Sequence, residues 1–255
     1  MAASAEGDAA STDGLHPTTQ HDPAATHDTG RGERSVLGVL LALTLLSGMI
    51  DAVCYLGLGR VFTANMTGNV VLIGFAAAGA PGFSVTASLT SLGVFLLGAI
   101  AGGQLTAHIA SHSRMLALAL TLEAVFVAAA ASVACTAATV ATGWGRYTTI
   151  TLLAFAMGIR NTVILRLSIP DMTTTVLTRT LTGLAADSFL AGGHNRYVPR
   201  RVGSVIAMLA GAAVGAALFL HRGPGLPLVI AAGTAAITAI VAQASGAIRG
   251  YLDRK

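Results

Sequence analysis

The chain has 255 residues, of which 54% are hydrophobic and only 10% charged, and its mean hydropathy is +0.73. Water-soluble domains carry about 25% charged residues, so the composition excludes a soluble globular fold, together with collagen-like, disordered and disulfide-framework chains. It fits an all-α polytopic membrane protein, in which thirty glycines suit close helix packing in lipid.

The net charge of +4 is unevenly distributed. Residues 1–35 hold Arg31 and Arg34 against six acids and carry −4, while residues 36–255 hold thirteen basic residues against five acids and carry +8. The positive charge lies in short loops and at the C-terminus, where it sets membrane orientation. It does not mark a nucleic-acid partner.

Residues 1–35 are polar, acidic and without apolar periodicity, and are expected to form a disordered tail. They do not resemble a signal peptide, because the first apolar run begins only at Val36. His16, His21 and His27 are too irregularly spaced in this tail to suggest a metal site. Eight apolar segments follow, at about 36–58, 64–79, 85–110, 115–141, 147–167, 173–190, 202–220 and 226–247. Six are long enough to cross a bilayer, which takes about 20 residues of helix. The second and sixth are short, polar at their starts and rich in Thr, and are expected to be short or re-entrant helices. The transmembrane domain is thus placed at 36–248, followed by a short basic tail at 249–255.

The segments divide into two related halves, about 36–141 and 147–247. Gly48-Met49-Ile50-Asp51 resembles Gly158-Ile159-Arg160-Asn161, offset by 110 residues. Asn65-Met66-Thr67-Gly68-Asn69 matches Asp171-Met172-Thr173-Thr174-Thr175 at an offset of 106, and Gly98-x-x-x-Gly102 matches Gly211-x-x-x-Gly215 at 113. Similar offsets at three places point to an internal duplication. Eight crossings make the halves parallel and six make them inverted. Either way, the basic residues place both termini in the cytoplasm.

The polar residues inside the apolar segments carry the functional information. Asp51 follows fifteen predominantly apolar positions, and a carboxylate at such a depth costs about 2.5–3.5 kcal/mol on insertion scales. It is either a substrate, ion or proton site or a structural hydrogen bond to a neighbouring helix. Asn65, Thr67 and Asn69 suit a helix start, with side-chain oxygens capping free backbone N–H groups, and a half-helix there would aim its positive dipole end into the protein. In the second half Asn161 and Asp171 exchange the roles of Asp51 and Asn65, and Thr173, Thr174 and Thr175 supply hydroxyls. Arg160 either neutralises Asp51, Asp171 or Asp187 or holds an anionic solute. Glu123 reads best as a helix-to-helix hydrogen bond, and His108 and His112, four residues apart, as interfacial residues. Cys54 and Cys135 both lie in apolar stretches and are expected to be buried thiols. No nucleophile elbow, P-loop, dinucleotide fingerprint or zinc-protease motif occurs, and no metal or other cofactor is expected.

Taken together, Gly48-Met49-Ile50-Asp51-Ala52, Val61-Phe62-Thr63-Ala64-Asn65-Met66-Thr67-Gly68-Asn69, Gly158-Ile159-Arg160-Asn161 and Thr173-Thr174-Thr175-Val176-Leu177-Thr178 resemble the YoaK-like family. These are bacterial multi-pass membrane proteins that carry a domain of unknown function. The likeness covers roughly residues 36–247 and implies a helical fold in the inner membrane, without supplying an activity. Arg179 departs from it, standing where the family leads one to expect a small residue.

The leading expectation is a small-solute transporter or channel, not an enzyme. Its site would comprise Asp51, Asn65, Thr67, Asn69, Arg160, Asn161, Asp171, Thr173, Thr174 and Thr175, and its partners would be the bilayer and a small solute or ion. A lipid- or isoprenoid-modifying membrane enzyme is the alternative, with Asp51 and Asp171 as acid–base groups or metal ligands. A structural or regulatory membrane partner is a third, and the GxxxG faces also allow a homo-oligomer.

Overall fold

The computed structural model describes residues 23–136, 143–167, 177–186 and 198–253, side chains of 23–31 and 177–179 excepted. All regular structure among them is helical: α1 (Pro23–Gly57), α2 (Met66–Ala77), α3 (Val85–His108), α4 (His112–Cys135), α5 (Gly143–Arg166), α6 (Leu177–Ala186), α7 (Val198–Arg222), α8 (Gly225–Ala244) and α9 (Gly246–Leu252). Six of these are long and apolar enough to cross a membrane: the Gly32–Gly57 portion of α1, and α3, α4, α5, α7 and α8. At 1.5 Å per residue, the 24 residues of α3, α4 or α5 extend about 36 Å, against a hydrocarbon core of about 30 Å. The 12 residues of α2 and the 10 of α6 are too short.

Two termini differ from expectation. The first helix starts at Pro23 instead of Val36. Proline is well placed in a first turn, where its missing N–H costs nothing, and the extension finds partners from distant sequence. Glu33 pairs with Arg200 of α7, and Gly32 lies against Ala247 and Tyr251 of α9. The basic C-terminal tail is likewise ordered in part, because α9 runs to Leu252 with Ile248 and Leu252 buried.

Serine caps start several helices. Ser84 accepts from the Ala87 N–H, Ser111 from Arg114 and Ser245 from Ile248, each satisfying a donor that lacks an intrahelical partner. The chain leaves α1 through Gly59 and Arg60, with φ of +97° and +57°. Glycine adopts this left-handed region freely, whereas Arg60 is held there. Its guanidinium lies 5.2 Å from the Phe83 ring centroid, a cation–π contact that ties the α1–α2 connection to the α2–α3 turn.

α1 and α5 are the most enclosed spans and α7 the least. α1 packs on α7, α8 and α9; α5 packs on α3 and α4; α4 packs on α8. Glycines permit two close crossings. Gly48 of α1 faces the backbone of Met208 and Ala212, while Gly211 and Gly215 of α7 face the Leu45 and Met49 carbonyls. In the other crossing, Gly158 of α5 faces the backbone of Phe95 and Ala99, while Gly98 and Gly102 of α3 face the Phe155 and Ile159 carbonyls. A Cβ at Gly215 would come within 2.7 Å of the Met49 oxygen, and one at Gly102 within 2.9 Å of the Ile159 oxygen. Both crossings therefore require glycine.

Candidate functional site

Asp51 lies six residues before the end of α1, about 9 Å along the helix axis, and is buried. Its Oδ1 accepts three hydrogen bonds from the connection that follows: from the Thr63 N–H at 2.8 Å, the Ala64 N–H at 2.9 Å and the Thr63 hydroxyl at 3.4 Å. The carboxylate thus pins an irregular strip of backbone just before α2. Such backbone, inside a bundle, has to bond to protein because lipid offers no partner. Oδ2 accepts no hydrogen bond. Cys54, one turn on, has its thiol 3.7 Å from the Thr63 hydroxyl.

Asn69 holds the same strip from the other side. Its Oδ1 accepts from the Phe62 N–H at 2.9 Å, and its Nδ2 donates to the Phe62 carbonyl at 2.7 Å and to the Ser91 Oγ at 3.2 Å. Ser91 of α3 donates to the same carbonyl at 2.6 Å. One buried amide therefore reproduces, for Phe62, the pair of bonds that a neighbouring strand would supply. Asn65 precedes the first residue of α2 but makes no side-chain cap, so the capping expected of it does not occur. Asn65 and Thr67 are exposed and stand apart from the buried polar centre.

A second polar cluster joins three spans. Arg160 of α5 donates to Glu123 Oε1 of α4 at 2.7 Å and to Ser47 Oγ of α1 at 2.7 Å, and neither side chain of the ion pair has any solvent exposure. The Ser47 hydroxyl donates on to the Leu43 carbonyl at 2.9 Å. Glu123 Oε2 and Arg160 Nε have no hydrogen-bond partner. Ser47 and Asp51 are four residues apart and share one face of α1, so the two clusters are neighbours, and the Arg160 charge also acts on the Asp51 carboxylate. Among the described residues the most buried acid is Glu123, eleven residues into α4.

Of the sequence-derived site, the structure brings Asp51 and Asn69 onto one strip of backbone and sets Arg160 a helical turn away. Asn161, the next residue of α5, is half-buried. Asp171, Thr173, Thr174 and Thr175 lie outside the described residues, as does Asp187. Arg160 was expected to answer Asp51, Asp171 or Asp187; its direct partner is Glu123. Ser47, Thr63, Ser91 and Glu123 were not among the site residues, although Ser47 shows in the sequence as a polar residue one turn before Asp51. Cys135 is exposed, not buried, because it closes α4 beside Gly225 at the start of α8. His108 is exposed and its ring nitrogen bonds to the Gln104 carbonyl of the same helix. Among the described residues no cluster of three or more His, Cys, Asp or Glu could hold a metal.

These residues fall within a known family pattern. The family model described as "Protein of unknown function (DUF1275)" matches residues 39–241. The chain belongs to that family. It is also 37% identical over 161 residues to "UPF0700 transmembrane protein YoaK" of Bacillus subtilis (strain 168), covering 62% of this chain and 69% of that protein. No solved structure matches. The chain is thus an integral, multi-pass membrane protein of an uncharacterised family, consistent with the resemblance drawn from its Asp51 and Asn65–Asn69 motifs.

Proposed function

We propose that this protein is a small-solute transporter or channel of the bacterial inner membrane, moving its solute without chemical conversion. The observation that carries the proposal is Asp51. A buried carboxylate reaches out of one span to hold the backbone of a non-helical strip, at the head of a helix too short to cross. Irregular backbone and short helices of this kind build solute and ion sites in transporters, and intramembrane ionisable groups mark conduction paths. Asp51, Asn69, Arg160 and Asn161 would line the site, joined by Ser47, Thr63 and Glu123. Asp171 and Thr173 to Thr175 are its proposed contribution from the second half.

Two further parts of the proposal concern architecture. An internal duplication is supported by the glycine crossings, in which Gly48, Gly98 and Gly102 have their counterparts in Gly158, Gly211 and Gly215. Even the backbone atoms they face correspond, Leu45 with Phe155 and Met49 with Ile159. With three spans and one short helix in each half, the repeats are inverted, the arrangement used for alternating access. Cytoplasmic termini are supported by charge. Arg34, Arg114, Arg166, Arg200, Arg201 and Arg249 lie at the end shared with the termini, against Arg60, Arg146 and Arg222 at the other.

An uptake screen in proteoliposomes, with labelled small ions, amino acids, sugars and organic acids, tests the proposal. Wild type should move at least one class, and Asp51→Ala and Asp171→Ala should abolish it while eluting as folded protein in detergent. If wild type transports and both variants match it, the proposed site is wrong. A wild type that moves none of the panel refutes the transport role.

A further inference from the structure

The bundle end where α1 begins and α9 lies holds a polar cavity unrelated to the Asp51 centre. Its volume is about 580 Å³, and it lies between the start of α4, the end of α8 and the short α9, floored by Ala117 and Ala242. Arg114 and Arg249 enter it from separate elements, and both are exposed. The third charge in its wall, Asp253, is already committed. Its Oδ1 accepts from the Ser111 hydroxyl at 3.2 Å and the Ser113 N–H at 3.1 Å, and its Oδ2 from the Ser113 hydroxyl at 2.9 Å. The first turn of α4 is thus capped by the protein's own carboxylate, which bonds to serines instead of pairing with either arginine and leaves the three charges of the wall at a net +1. Arg249 donates to the Gln243 carbonyl. The Arg114 side chain makes no hydrogen bond to the described residues, so most of the fork-shaped donors of both arginines are available.

The geometry points to a binding site for the phosphate headgroup of an anionic phospholipid. Planar guanidinium forks match phosphate oxygens, and basic pockets between spans on the cytoplasmic side suit such headgroups. The cavity lies where α3 turns into α4 and α8 into α9, at the ends of candidate spans, where a helix long enough to cross meets the headgroups. The surface just beneath it distinguishes a lipid from a free phosphate. On α4, Arg114, Leu118 and Val125 follow one helical face, and Leu118 and Val125 are exposed. On α8, exposed Ile240 and Ile237 lie one and two turns below Gln243, whose amide bonds to Thr121 of α4. A polar cavity of net charge +1, with two guanidinium groups that have no carboxylate partner, beside exposed apolar side chains of α4 and α8, matches an amphiphile: headgroup in the cavity, acyl chain along the apolar side chains. α9 completes it as a short surface helix that turns Ile248 and Leu252 to the bundle and Arg249 to the cavity.

Native mass spectrometry of the full-length protein in detergent tests this, with phosphatidylglycerol, phosphatidylcholine and inorganic phosphate as probes. Wild type should retain phosphatidylglycerol at least tenfold better than phosphatidylcholine. The double variant Arg114→Gln/Arg249→Gln should lose about thirtyfold in phosphatidylglycerol binding, the factor set by two basic groups at an anionic surface. Arg222→Gln, at the opposite end, should bind as wild type. Ala117→Leu, which fills the cavity without touching charge, should weaken binding as well and serves if the double variant does not fold. Equal retention of the two lipids, or unchanged binding in the double and Ala117→Leu variants, overturns the site. Inorganic phosphate that displaces the lipid at millimolar concentration leaves an anion site but overturns the lipid.

Discussion

Replacing Arg160 by methionine leaves the Glu123 carboxylate buried among apolar neighbours without its counter-charge. In wild type the guanidinium bonds Glu123 and Ser47 at 2.7 Å each, and neither charged side chain touches solvent. Removing one partner of a buried pair costs about 3–5 kcal/mol, because the remaining charge has neither water nor a partner. For a chain of this length each kcal/mol shifts the melting temperature by about 2–4 °C, so Arg160→Met should lose about 6–20 °C. Glu123→Leu, which strands the arginine, should fall in the same range. The double variant Glu123→Leu/Arg160→Met removes both charges and should return most of the loss, since a well-packed apolar pair of similar volume is often neutral or stabilising relative to a buried ion pair. Cys54 offers the readout. Its thiol is buried while Cys135 is exposed, so in a Cys135→Ser background a thiol-reactive dye reports only unfolding. Additive losses in the double variant, or single variants melting with wild type, would refute the description of the centre as a coupled and desolvated pair.

Three further outcomes follow from the packing and the polar contacts. Asn69→Ala strands the Phe62 N–H in the interior, and at about 1–3 kcal/mol for each unsatisfied group it should lower the melting temperature in the same dye assay. Gly48→Ala and Gly158→Ala should each cost about 1–3 kcal/mol by forcing crossing helices apart. Gly38→Ala and Gly233→Ala, where a Cβ meets nothing, should be neutral or stabilising by about 0.5–1 kcal/mol. Burial pushes the Asp253 carboxyl up, but the Ser113 N–H, the Ser113 and Ser111 hydroxyls and the nearby His112 outweigh it and hold the group below its ordinary range. A depressed carboxylate stabilises above its unfolded pKa and loses that contribution as pH falls through the folded one. Hydrogen-exchange protection of α9 should therefore be full at pH 5–7 and drop below about pH 4, and Asp253→Asn should remove that dependence.

The spans were legible because length and apolar continuity are local properties. Val85–His108, His112–Cys135 and Gly225–Ala244 fall within a few residues of the expected segments, except that α4 stops six residues early. The start of α1 was not legible, because residues 23–35 have no apolar face to announce a helix, and the groups that hold Gly32 and Glu33 stand on α9 and α7. The same limit governs the site. Asp51 and Asn69 stood out as polar residues in apolar surroundings, and their cost in lipid says that each has a partner. It does not say which. Arg160 meets a residue 37 positions away in Glu123 and one 113 away in Ser47, choices made by the helix arrangement. Asn65 shows the converse, since a favourable capping type in the right place remains without a cap.

The spans are held together by two means, close glycine contact and buried polar bonds. Apolar burial drives little association between helices in lipid, so close glycine contact and buried hydrogen bonds have to do it. The glycines join α1 to α7 and α3 to α5; the polar centre ties α1, α4 and α5 to one another through specific bonds. If stability were its sole purpose, an apolar replacement would serve as well. Glu123→Leu/Arg160→Met therefore discriminates. On the transport proposal it should melt with wild type and yet fail to move the solute in proteoliposomes. A variant that is both stable and fully active would reduce the centre to a packing device, and the search for the solute path would have to leave α1 and α5.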